Sequence, residues 1–414
     1  MKISIVSHSD LHGGAARAAY RLHKALLKNN IQTEMLVRVK KSDDDKVISS
    51  SKFRQYLARF TNYISYKIQL LQKTKSSILH SSNFFGSHVN KLVANSDSDV
   101  INLHWVNAET LSIKQIGRID KPVVMTLHDM WAFCGTEHLS LDLDFSNFKV
   151  GYDKLNTSSD YISGVNLNNY IWNQKRKHWK KKFTIVTPSN WLSGCVRDSL
   201  LFKGWDVHTI PNALDTELFR PMKKEKAREY FKLSNNDILI GFGAMGGGSD
   251  PNKGFDLLVE ALNKLPKDKN YKCLVFGQDK PTYDIGIDLP IKFIGHVNDD
   301  NVLIHFYNAV DLMVVPSRQE NLPQTGTEAM SCGTPVVAFN TTGLIDIIEH
   351  KVTGYLAEPF NTDDLANGIE WCCLNKSKTL RSLSRERAVL LWSQDVVAAQ
   401  YLELYGNVIN KDKN

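Results

Sequence analysis

The stretch that decides the fold is Leu312-Met-Val-Val-Pro-Ser317, followed by Glu320-Asn-Leu-Pro-Gln-Thr-Gly-Thr-Glu328. The apolar run at its start predicts a buried strand. Pro323 suits the first turn of a helix, because its missing N–H has no intrahelical partner there, and Gly333 suits the C-terminal cap. A strand that passes through a short turn into a helix is the repeating unit of a parallel α/β sheet.

The turn between this strand and this helix has the chemistry of a ligand site. The backbone N–H groups within residues 322–325, apart from the one that Pro323 lacks, are expected to face the space beyond the strand end, which favours an anion. Glu320 lies at the mouth of the turn, and Glu328 lies roughly two helical turns further along and on the same side. Carboxylates accept hydrogen bonds from sugar hydroxyls, and a helix N-terminus binds phosphate. The stretch therefore predicts a site for a sugar nucleotide.

Strands and helices alternate along the whole chain in two series, separated by an irregular segment at 210–221. Alternation at this spacing predicts an α/β protein of two doubly wound, Rossmann-like domains, which we expect to face each other across a cleft. The expected boundaries are 1–212 for the acceptor-side domain and 213–390 for the nucleotide-sugar domain. Residues 391–414 are expected to form a helix that packs back toward the first domain. The amphipathic run from about 384 to 408 has Trp392 and several other apolar residues at helical spacing.

Composition is that of an ordinary globular protein, with 414 residues, 42% hydrophobic residues and a formal net charge of +7. The six cysteines show no metal-type C-x-x-C spacing, so reduced thiols are expected. The first residues, Met1-Lys-Ile-Ser-Ile-Val-Ser7, predict a β-strand and not a signal peptide. No apolar run approaches the about 18 residues of a membrane span. The prediction is a cytoplasmic protein able to lie on the inner face of the plasma membrane.

Several short motifs occur in an order and spacing that is specific as a set. They are Gly13-Gly14, Thr126-Leu-His128-Asp129, Ile210-Pro-Asn212, Asn252-Lys253-Gly254-Phe255, Glu320 with Glu328, Cys332-Gly-Thr-Pro-Val-Val337 and Thr353-Gly-Tyr-Leu356. With them, essentially the whole chain resembles the retaining GT-B glycosyltransferases of family 4 (group 1), whose signature is E-x7-E. The resemblance implies transfer of a sugar from a UDP- or GDP-sugar to a saccharide acceptor, with retention at the anomeric carbon and without a metal or covalent cofactor. It also implies bacterial surface polysaccharide biosynthesis, including lipopolysaccharide, on an acceptor linked to lipid or polyprenyl diphosphate.

Matching residue by residue, the resemblance implies catalytic roles for His128, Lys253 and Glu320. The implied nucleotide-sugar site comprises Gly13, Gly14, Lys253, Val297, Glu320, Asn321, Leu322, Pro323, Gln324, Thr325 and Glu328. His104, Trp105 and Asp129 are expected on the acceptor side. Each element has a structural alternative: a tight strand-to-helix turn at Gly13 and Gly14, and satisfied buried histidines at His104 and His128.

Lys253 is the expected diphosphate ligand, because it precedes a helix and its charge would neutralise the leaving nucleotide. Many relatives pair this lysine with a preceding arginine, and residues 241–252 contain none. Either the amides of the glycine-rich loop replace it or phosphate binding is weaker. The loop also has the form Gly241-x-Gly243-x-x-Gly246, but Ser249-Asp-Pro251 interrupts it before the helix, which argues against NAD.

Two stretches rich in Lys and Arg are each compatible with two structural interpretations. In 52–85 apolar residues at helical spacing alternate with cations, which suits either an interfacial helix on anionic lipid or a helix packed in the core. The cluster 175–182 predicts a solvated face or a phospholipid contact, since no nucleic-acid-reading module accompanies it. The segment 131–171 resembles an insertion near the acceptor.

Two other functions share the predicted architecture and remain alternatives at this stage. A sugar-nucleotide epimerase would bind the same donor without transferring it to an acceptor. A non-catalytic sugar-nucleotide-binding subunit would bind without turnover, although the paired carboxylates argue mildly against it.

Overall fold

A computed structural model describes residues 1–50, 52–75, 78–153, 161–243, 248, 250–282, 285–375 and 378–413. The chain forms two compact units: Met1–Ala213 together with the segment from Val397 onward, and Leu214–Val396. Each unit is built on a parallel sheet with helices, so the prediction of two doubly wound α/β domains is confirmed.

The strands are short, and most of them are apolar on both faces, as expected of sheets covered by helices on each side. In chain order they are β1 (Lys2–Ser9), β2 (Gln32–Val39), β3 (Val47–Ile48), β4 (Gln72–Thr74), β5 (Val100–Leu103), β6 (Val123–Thr126), β7 (Tyr161–Gly164), β8 (Thr184–Thr187), β9 (Asp206–Thr209), β10 (Ile238–Gly243), β11 (Tyr271–Phe276), β12 (Ile291–Phe293), β13 (Leu312–Val315), β14 (Val336–Phe339) and β15 (Gly354–Ala357).

The helices of the described residues alternate with these strands. They are α1 (Gly14–Lys28), α2 (Lys52–Gln69), α3 (Val89–Asn95), α4 (Ile113–Ile116), α5 (Asn147–Val150), α6 (Leu167–His178), α7 (Asn190–Asp198), α8 (Lys224–Tyr230), α9 (Phe255–Asn263), α10 (Asp300–Ala309), α11 (Gln324–Ser331), α12 (Leu344–Ile347), α13 (Thr362–Leu374), α14 (Lys378–Trp392) and α15 (Gln394–Lys413). A short 3-10 turn, Pro251–Lys253, precedes α9.

The first unit holds a seven-stranded sheet in the order β3-β2-β1-β5-β6-β8-β9, and the second a six-stranded sheet in the order β12-β11-β10-β13-β14-β15. All neighbours in both sheets are parallel. In each sheet the chain order reverses once, between β1 and β5 and between β10 and β13. Crevices beyond the carboxyl ends of strands at such a reversal are where doubly wound sheets bind ligands.

The amphipathic run 384–408 is helical but divides into α14 and α15 at Ser393. The N–H of Leu214 donates to the carbonyl of Trp392 at 2.7 Å, and Ser393 forms an isolated bridge with Leu214. This strand-like pairing takes the backbone out of the helix. Beyond the break, α15 belongs from Val397 onward to the first unit, where the amide of Asn102 donates to the hydroxyl of Tyr405 at 2.7 Å.

The basic cluster 175–182 was predicted to lie at the surface, but part of it is buried. Lys175 is fully buried, and its ammonium group donates to the carbonyls of Cys134 at 2.9 Å and Gly135 at 2.8 Å. Trp179 is also buried, and its indole N–H donates to the carbonyl of Ile113 at 2.9 Å. Burial lowers the pKa of Lys175 to about 7. Lys175 therefore fixes the backbone of the segment after β6, and Trp179 contacts the backbone at Ile113. Neither side chain is available to a partner.

Within the segment 131–171, β7 pairs antiparallel with β4 from outside the segment, and residues 154–160 lie outside the described residues. Among the helices that the structure does describe, none combines the length and the apolar character needed to span a bilayer.

Candidate functional site

The second unit brings Lys253 and Glu320 together at its reversal point. β10 and β13 are direct neighbours, with Ile240 opposite Leu312 and Phe242 opposite Val314. Lys253 belongs to the connection after β10, and Glu320 to the turn after β13. The ammonium nitrogen of Lys253 lies 2.6 Å from Oε1 of Glu320. Two residues distant in sequence thus form one ion pair beyond the strand ends.

This ion pair is partly shielded from solvent, with side-chain exposures of 27% for Lys253 and 16% for Glu320. The same Oε1 atom accepts a hydrogen bond from the hydroxyl of Ser317 at 3.0 Å. The attraction of Glu320 raises the pKa of Lys253, against the opposing effect of burial. Lys253 therefore remains a cation throughout the neutral pH range.

The loops that carry the two residues are fastened to each other by further hydrogen bonds. The N–H of Arg318 donates to the carbonyl of Asn252 at 2.8 Å, and the amide of Asn252 donates to the carbonyl of Gln319 at 2.7 Å. The guanidinium of Arg318 forms a bidentate pair with Asp256, with distances of 2.9 and 2.6 Å. The position of Lys253 relative to Glu320 is therefore set by backbone contacts as well as by the ion pair itself.

Two glycines are required where these segments approach each other. Gly254 has φ +65°, and an added Cβ would lie 2.0 Å from the carbonyl oxygen of Pro316. At Gly343 an added Cβ would lie 1.4 Å from the carbonyl oxygen of Asn321. The N–H of Gly343 also donates to the carbonyl of Glu320 at 2.9 Å. No side chain fits at either position without displacing the backbone of the turn.

Helix α11 begins one residue later than the sequence indicated, so the prediction of Pro323 in its first turn is wrong. Pro323 is the N-cap, with ψ 121°, and Gln324 is the first helical residue. The N–H groups of Gly326 and Thr327 donate to the carbonyl of Pro323 at 3.1 and 3.3 Å. These two hydrogen bonds to the Pro323 carbonyl form the first turn of a helix whose first residues are Gln324 and Thr325.

Glu328 lies on the same helix but deeper in the unit than Glu320. It is 3% exposed, and its Oε2 accepts a hydrogen bond from the hydroxyl of Tyr307 at 2.6 Å. Sequence reasoning did not identify Tyr307, because a tyrosine at an apolar helix position gives no signal that it will meet this carboxylate. The hydroxyl fixes the orientation of the Glu328 carboxylate.

The remaining donor-site residues of the second unit lie around this turn or on a neighbouring loop. Asn321, Gln324 and Thr325 are half-buried, whereas Leu322 and Pro323 are buried. Val297 lies in the connection between β12 and α10 and packs partly against the core of the unit. Part of the glycine-rich connection after β10, including Gly246, lies outside the described residues.

In the first unit, the residues predicted after β5 and β6 lie in contact with one another. Nδ1 of His104 is 2.9 Å from Nε2 of His128, and the two rings are stacked. Burial lowers the pKa of His128 to about 4 and that of His104 well below its ordinary value. Two neutral imidazoles can share this contact, with one donating and the other accepting. Nε2 of His104 is buried and has no hydrogen-bond partner among the described residues.

Asp129 is the centre of a small polar network. Its Oδ2 accepts hydrogen bonds from the indole N–H of Trp105 at 2.9 Å and from Nδ1 of His138 at 2.7 Å, and its Oδ1 accepts from the N–H of Trp131 at 3.0 Å. Burial alone would raise the pKa of Asp129, but the charge and hydrogen bonds of His138 hold it below the ordinary value. Sequence analysis missed His138, whose only signal is its place in the segment after β6.

His8, near the end of β1, lies at the same edge of the sheet and contacts Trp105. Its ring contacts that of Trp105 edge to face at 5.7 Å, and its backbone N–H donates to the carbonyl of Trp105 at 2.9 Å. Gly13 is the N-cap of α1, with φ +90°, and an added Cβ there would meet nothing within 4 Å. Gly14 opens the helix. The strand ends of this unit thus carry aromatic and imidazole side chains next to a helix N-terminus.

We expect the buried imidazoles to make stability fall as the solution is acidified. Between pH 6.5, the ordinary histidine value, and about 4, unfolded chains bind protons that His128 in the folded protein does not. The slope is on the order of 1 kcal/mol per pH unit for each such histidine, and the effect ends near the folded-state pKa. Urea denaturation at several pH values measures it. His128→Asn should reduce the slope, whereas the same change at the exposed His12 serves as the control. Equal slopes in wild type and His128→Asn would contradict the lowered pKa of His128 in the folded protein.

Groups of three or more His, Cys, Asp or Glu side chains placed to hold a metal ion do not occur in the part of the chain that the structure describes.

Two family models match the chain, one described as Glycosyltransferase Family 4 over residues 12–218 and one described as Glycosyl transferases group 1 over residues 242–388. The first match alone covers half of the 414 residues. This chain belongs to glycosyltransferase family 4. The two matches lie on either side of the connection between the units, so each parallel-sheet unit corresponds to one model.

Curated relatives of this family 4 protein match it over part of their length. The D-inositol 3-phosphate glycosyltransferase of Mycobacteroides abscessus is 31% identical over 216 residues, which are 49% of this chain and 47% of that protein. The capsular polysaccharide biosynthesis glycosyltransferase CapM of Staphylococcus aureus is 25% identical over 213 residues, which are 49% of this chain and 54% of CapM. The chain spans about half the length of these curated relatives.

Solved structures resemble the family 4 chain over its full length. Sucrose-phosphate synthase of Thermosynechococcus elongatus has a TM-score of 0.68 at 18% identity and covers 99% of both chains. Anabaena HepE, solved in complex with UDP-glucose, has a TM-score of 0.65 at 18% identity and covers 98% of this chain and 100% of HepE. At this identity the likeness shows the fold alone, which is that of the GT-B glycosyltransferases.

Proposed function

We propose that this family 4 protein is a retaining glycosyltransferase that moves a sugar from a UDP- or GDP-sugar to a saccharide acceptor. The observation that carries the proposal is the contact of Lys253 with Glu320 at 2.6 Å, beyond the strands at the reversal point and next to the first residues of α11. One cation, one carboxylate and a helix N-terminus match the diphosphate and hydroxyls of a sugar nucleotide. Family membership and the printed names of the relatives support the same reaction class.

In the proposed reaction, the bond between the anomeric carbon and the phosphate oxygen breaks, and a bond forms from the acceptor oxygen to the same carbon. The electron pair leaves with the nucleoside diphosphate, and the acceptor hydroxyl gives its proton to the departing phosphate oxygen on the same face. Catalysis then consists of stabilising negative charge on the leaving phosphate and holding the acceptor close. No protein nucleophile takes part.

Lys253 supplies the positive charge for the leaving diphosphate, together with backbone N–H groups at the start of α11. Its raised pKa supports this role, since the ammonium is retained at every pH at which the protein would work. With a fixed protein cation at this position, we propose that transfer needs no metal ion. Glu320 pairs with Lys253 in the free protein and, in the complex, accepts hydrogen bonds from the transferred sugar.

The other residues have supporting roles in the proposal. Glu328, oriented by Tyr307, receives the ribose hydroxyls, and Val297 lies near the base. Gly13 and Gly14 allow the donor to approach the backbone at the start of α1, where the space beside Gly13 is open. His128 lies beside the transferred sugar as a neutral hydrogen-bonding group, which its lowered pKa supports.

The acceptor side consists of His104, Trp105 and Asp129. The unpartnered Nε2 of His104 supports a contact with an acceptor hydroxyl. Each oxygen of Asp129 already accepts a hydrogen bond from the protein. In the proposal Asp129 therefore positions Trp105 and His138 and does not itself bind the acceptor. We propose a saccharide linked to lipid or polyprenyl diphosphate as acceptor, in bacterial surface polysaccharide synthesis, including lipopolysaccharide. The name of the capsular polysaccharide relative supports this pathway.

A donor panel tests the proposal. Thermal shift measures the binding of UDP-, GDP-, ADP- and dTDP-sugars to the purified protein. Each donor is then incubated with the protein and a set of saccharide acceptors, including acceptors linked to polyprenyl diphosphate, and nucleoside diphosphate release and products are followed by chromatography. We expect one UDP- or GDP-sugar to raise Tm and to release nucleotide with EDTA present. NMR of the product should show the donor's anomeric configuration. An epimerised donor without nucleotide release would indicate an epimerase, and binding without turnover a non-catalytic subunit; either result overturns the proposal.

A further inference from the structure

One surface of the first unit is apolar where it faces solvent. Among the described side chains of α2 and of Leu70, which directly follows it, Phe60, Tyr63, Tyr66 and Leu70 are 62%, 57%, 55% and 54% exposed. Positions three or four residues apart lie on one face of a helix, so these side chains form a single apolar stripe. Phe53, Tyr56 and Leu57, which the sequence pattern placed in the same run, lie outside the described side chains.

The opposite face of the same helix is polar and is the one that packs against the protein. The hydroxyl of the buried Ser65 donates to Glu109 at 2.7 Å, and the guanidinium of Arg38 donates to the amide oxygen of Asn62 at 2.8 Å. A surface helix of a globular protein normally buries its apolar stripe and exposes its polar one. Here the orientation is inverted, so the alternative of a helix packed in the core does not describe these exposed side chains.

The apolar stripe continues onto the small sheet β4-β7. The N–H of Val165 donates to the carbonyl of Leu71 at 3.0 Å, which joins the end of α2 to the chain after β7. Leu71, Ile162 and Val165 are all exposed. We call this surface the acid-free face; it comprises the exposed side chains of Phe60, Tyr63, Tyr66, Leu70, Leu71, Ile162 and Val165.

The name reflects the charge of the two stretches that form the face. The sequence has no acidic residue between Asp45 and Asp97 or between Asp160 and Asp198. Together the two stretches hold 15 of the 51 Lys and Arg residues and none of the 44 acids, so the rest of the chain has 36 basic residues against 44 acids. The positive net charge of the protein therefore resides in these stretches, although Lys175 within them is buried.

We propose that the acid-free face docks on an anionic phospholipid bilayer. Phe60, Tyr63 and Leu70 would enter the boundary between headgroups and acyl chains, and the exposed Lys67 and Lys73 would meet lipid phosphates. Lys67 already lies 5.3 Å over the ring of Tyr63, so charge and apolar surface are adjacent on the helix. A second copy of the chain would place cations against cations, which disfavours self-association through this face. The proposal does not depend on transferase activity.

Vesicle co-sedimentation of the full chain tests the proposal. We expect binding to vesicles of phosphatidylcholine with about 30% phosphatidylglycerol, weak binding to pure phosphatidylcholine, and release at about 0.5 M NaCl. The triple variant Tyr63→Ser, Tyr66→Ser, Leu70→Ser and the double variant Lys67→Glu, Lys73→Glu should each bind about tenfold more weakly. All substituted residues are exposed and lie outside the proposed active site, so the variants should keep the wild-type Tm.

Matched substitutions on the second unit serve as controls. Leu390→Ser removes an exposed leucine, and Lys223→Glu with Lys226→Glu removes two exposed lysines. Both should bind vesicles like the wild type. Failure of the wild type to bind anionic vesicles, or equal losses in control and test variants, would overturn the proposal. A dimer in analytical ultracentrifugation that the triple variant dissociates would assign the face to a second copy instead.

Discussion

Replacing Glu320 by glutamine is expected to lower kcat/KM for glycosyl transfer by roughly 10² to 10³. The amide keeps the size of the carboxylate but removes the charge that pairs with Lys253 at 2.6 Å. Its oxygen is also a weaker acceptor for the transferred sugar than a carboxylate oxygen. Lys253→Met should cause a loss of the same order, because the leaving diphosphate loses the cation that the proposal assigns to it. Initial rates of nucleotide release with the preferred donor provide the measurement.

A second ion pair of the same unit provides the control for this experiment. Lys264 contacts Asp363 at 2.8 Å, and Lys264→Met should leave turnover unchanged. The two active-site variants should keep their Tm within about 5 °C of the wild type, since partly exposed ion pairs contribute little to stability. If Glu320→Gln or Lys253→Met turned over at the wild-type rate, the donor site proposed here would be wrong.

Gly343→Ala is expected to be the most damaging substitution outside the charged residues. Its methyl group would lie 1.4 Å from the carbonyl oxygen of Asn321 and 3.0 Å from that of Glu320, so the turn must move. Overpacking of this kind costs about 1–3 kcal/mol, and a displacement of about 1 Å at a catalytic group can reduce activity about 10²-fold. Urea denaturation and initial rates, measured on the same preparation, test both effects.

Gly406→Ala is the matched control, because it makes the same chemical change in a helix where an added Cβ meets nothing within 4 Å. Alanine is favoured over glycine inside a helix, so this variant should be more stable by up to about 1 kcal/mol, with unchanged activity. Wild-type stability and turnover in Gly343→Ala would show that the turn around Glu320 tolerates displacement, which would contradict the close packing described here.

Local sequence patterns predicted most of the elements because their physical causes are local. The apolar run at Leu312–Val315 forms a strand with those limits, and Asp300–Ala309 forms a helix. The break at Ser393 was not predictable, since it depends on pairing with Leu214, far away in the sequence. The burial of Lys175 was missed for the same reason: a lysine among other cations gives no sign that carbonyl groups elsewhere will surround it.

The sequence by itself determined the alternation of strands and helices, and with it two parallel sheets, the places where their loops bind ligands and the residue types in those loops. Only the tertiary structure decided which of those residues touch: Lys253 with Glu320, Tyr307 with Glu328, and His138 with Asp129. Periodicity records how each segment is buried, whereas contacts between loops depend on which strands become neighbours. Which strands become neighbours depends on the packing of the whole sheet and cannot be predicted from the sequence of any single segment.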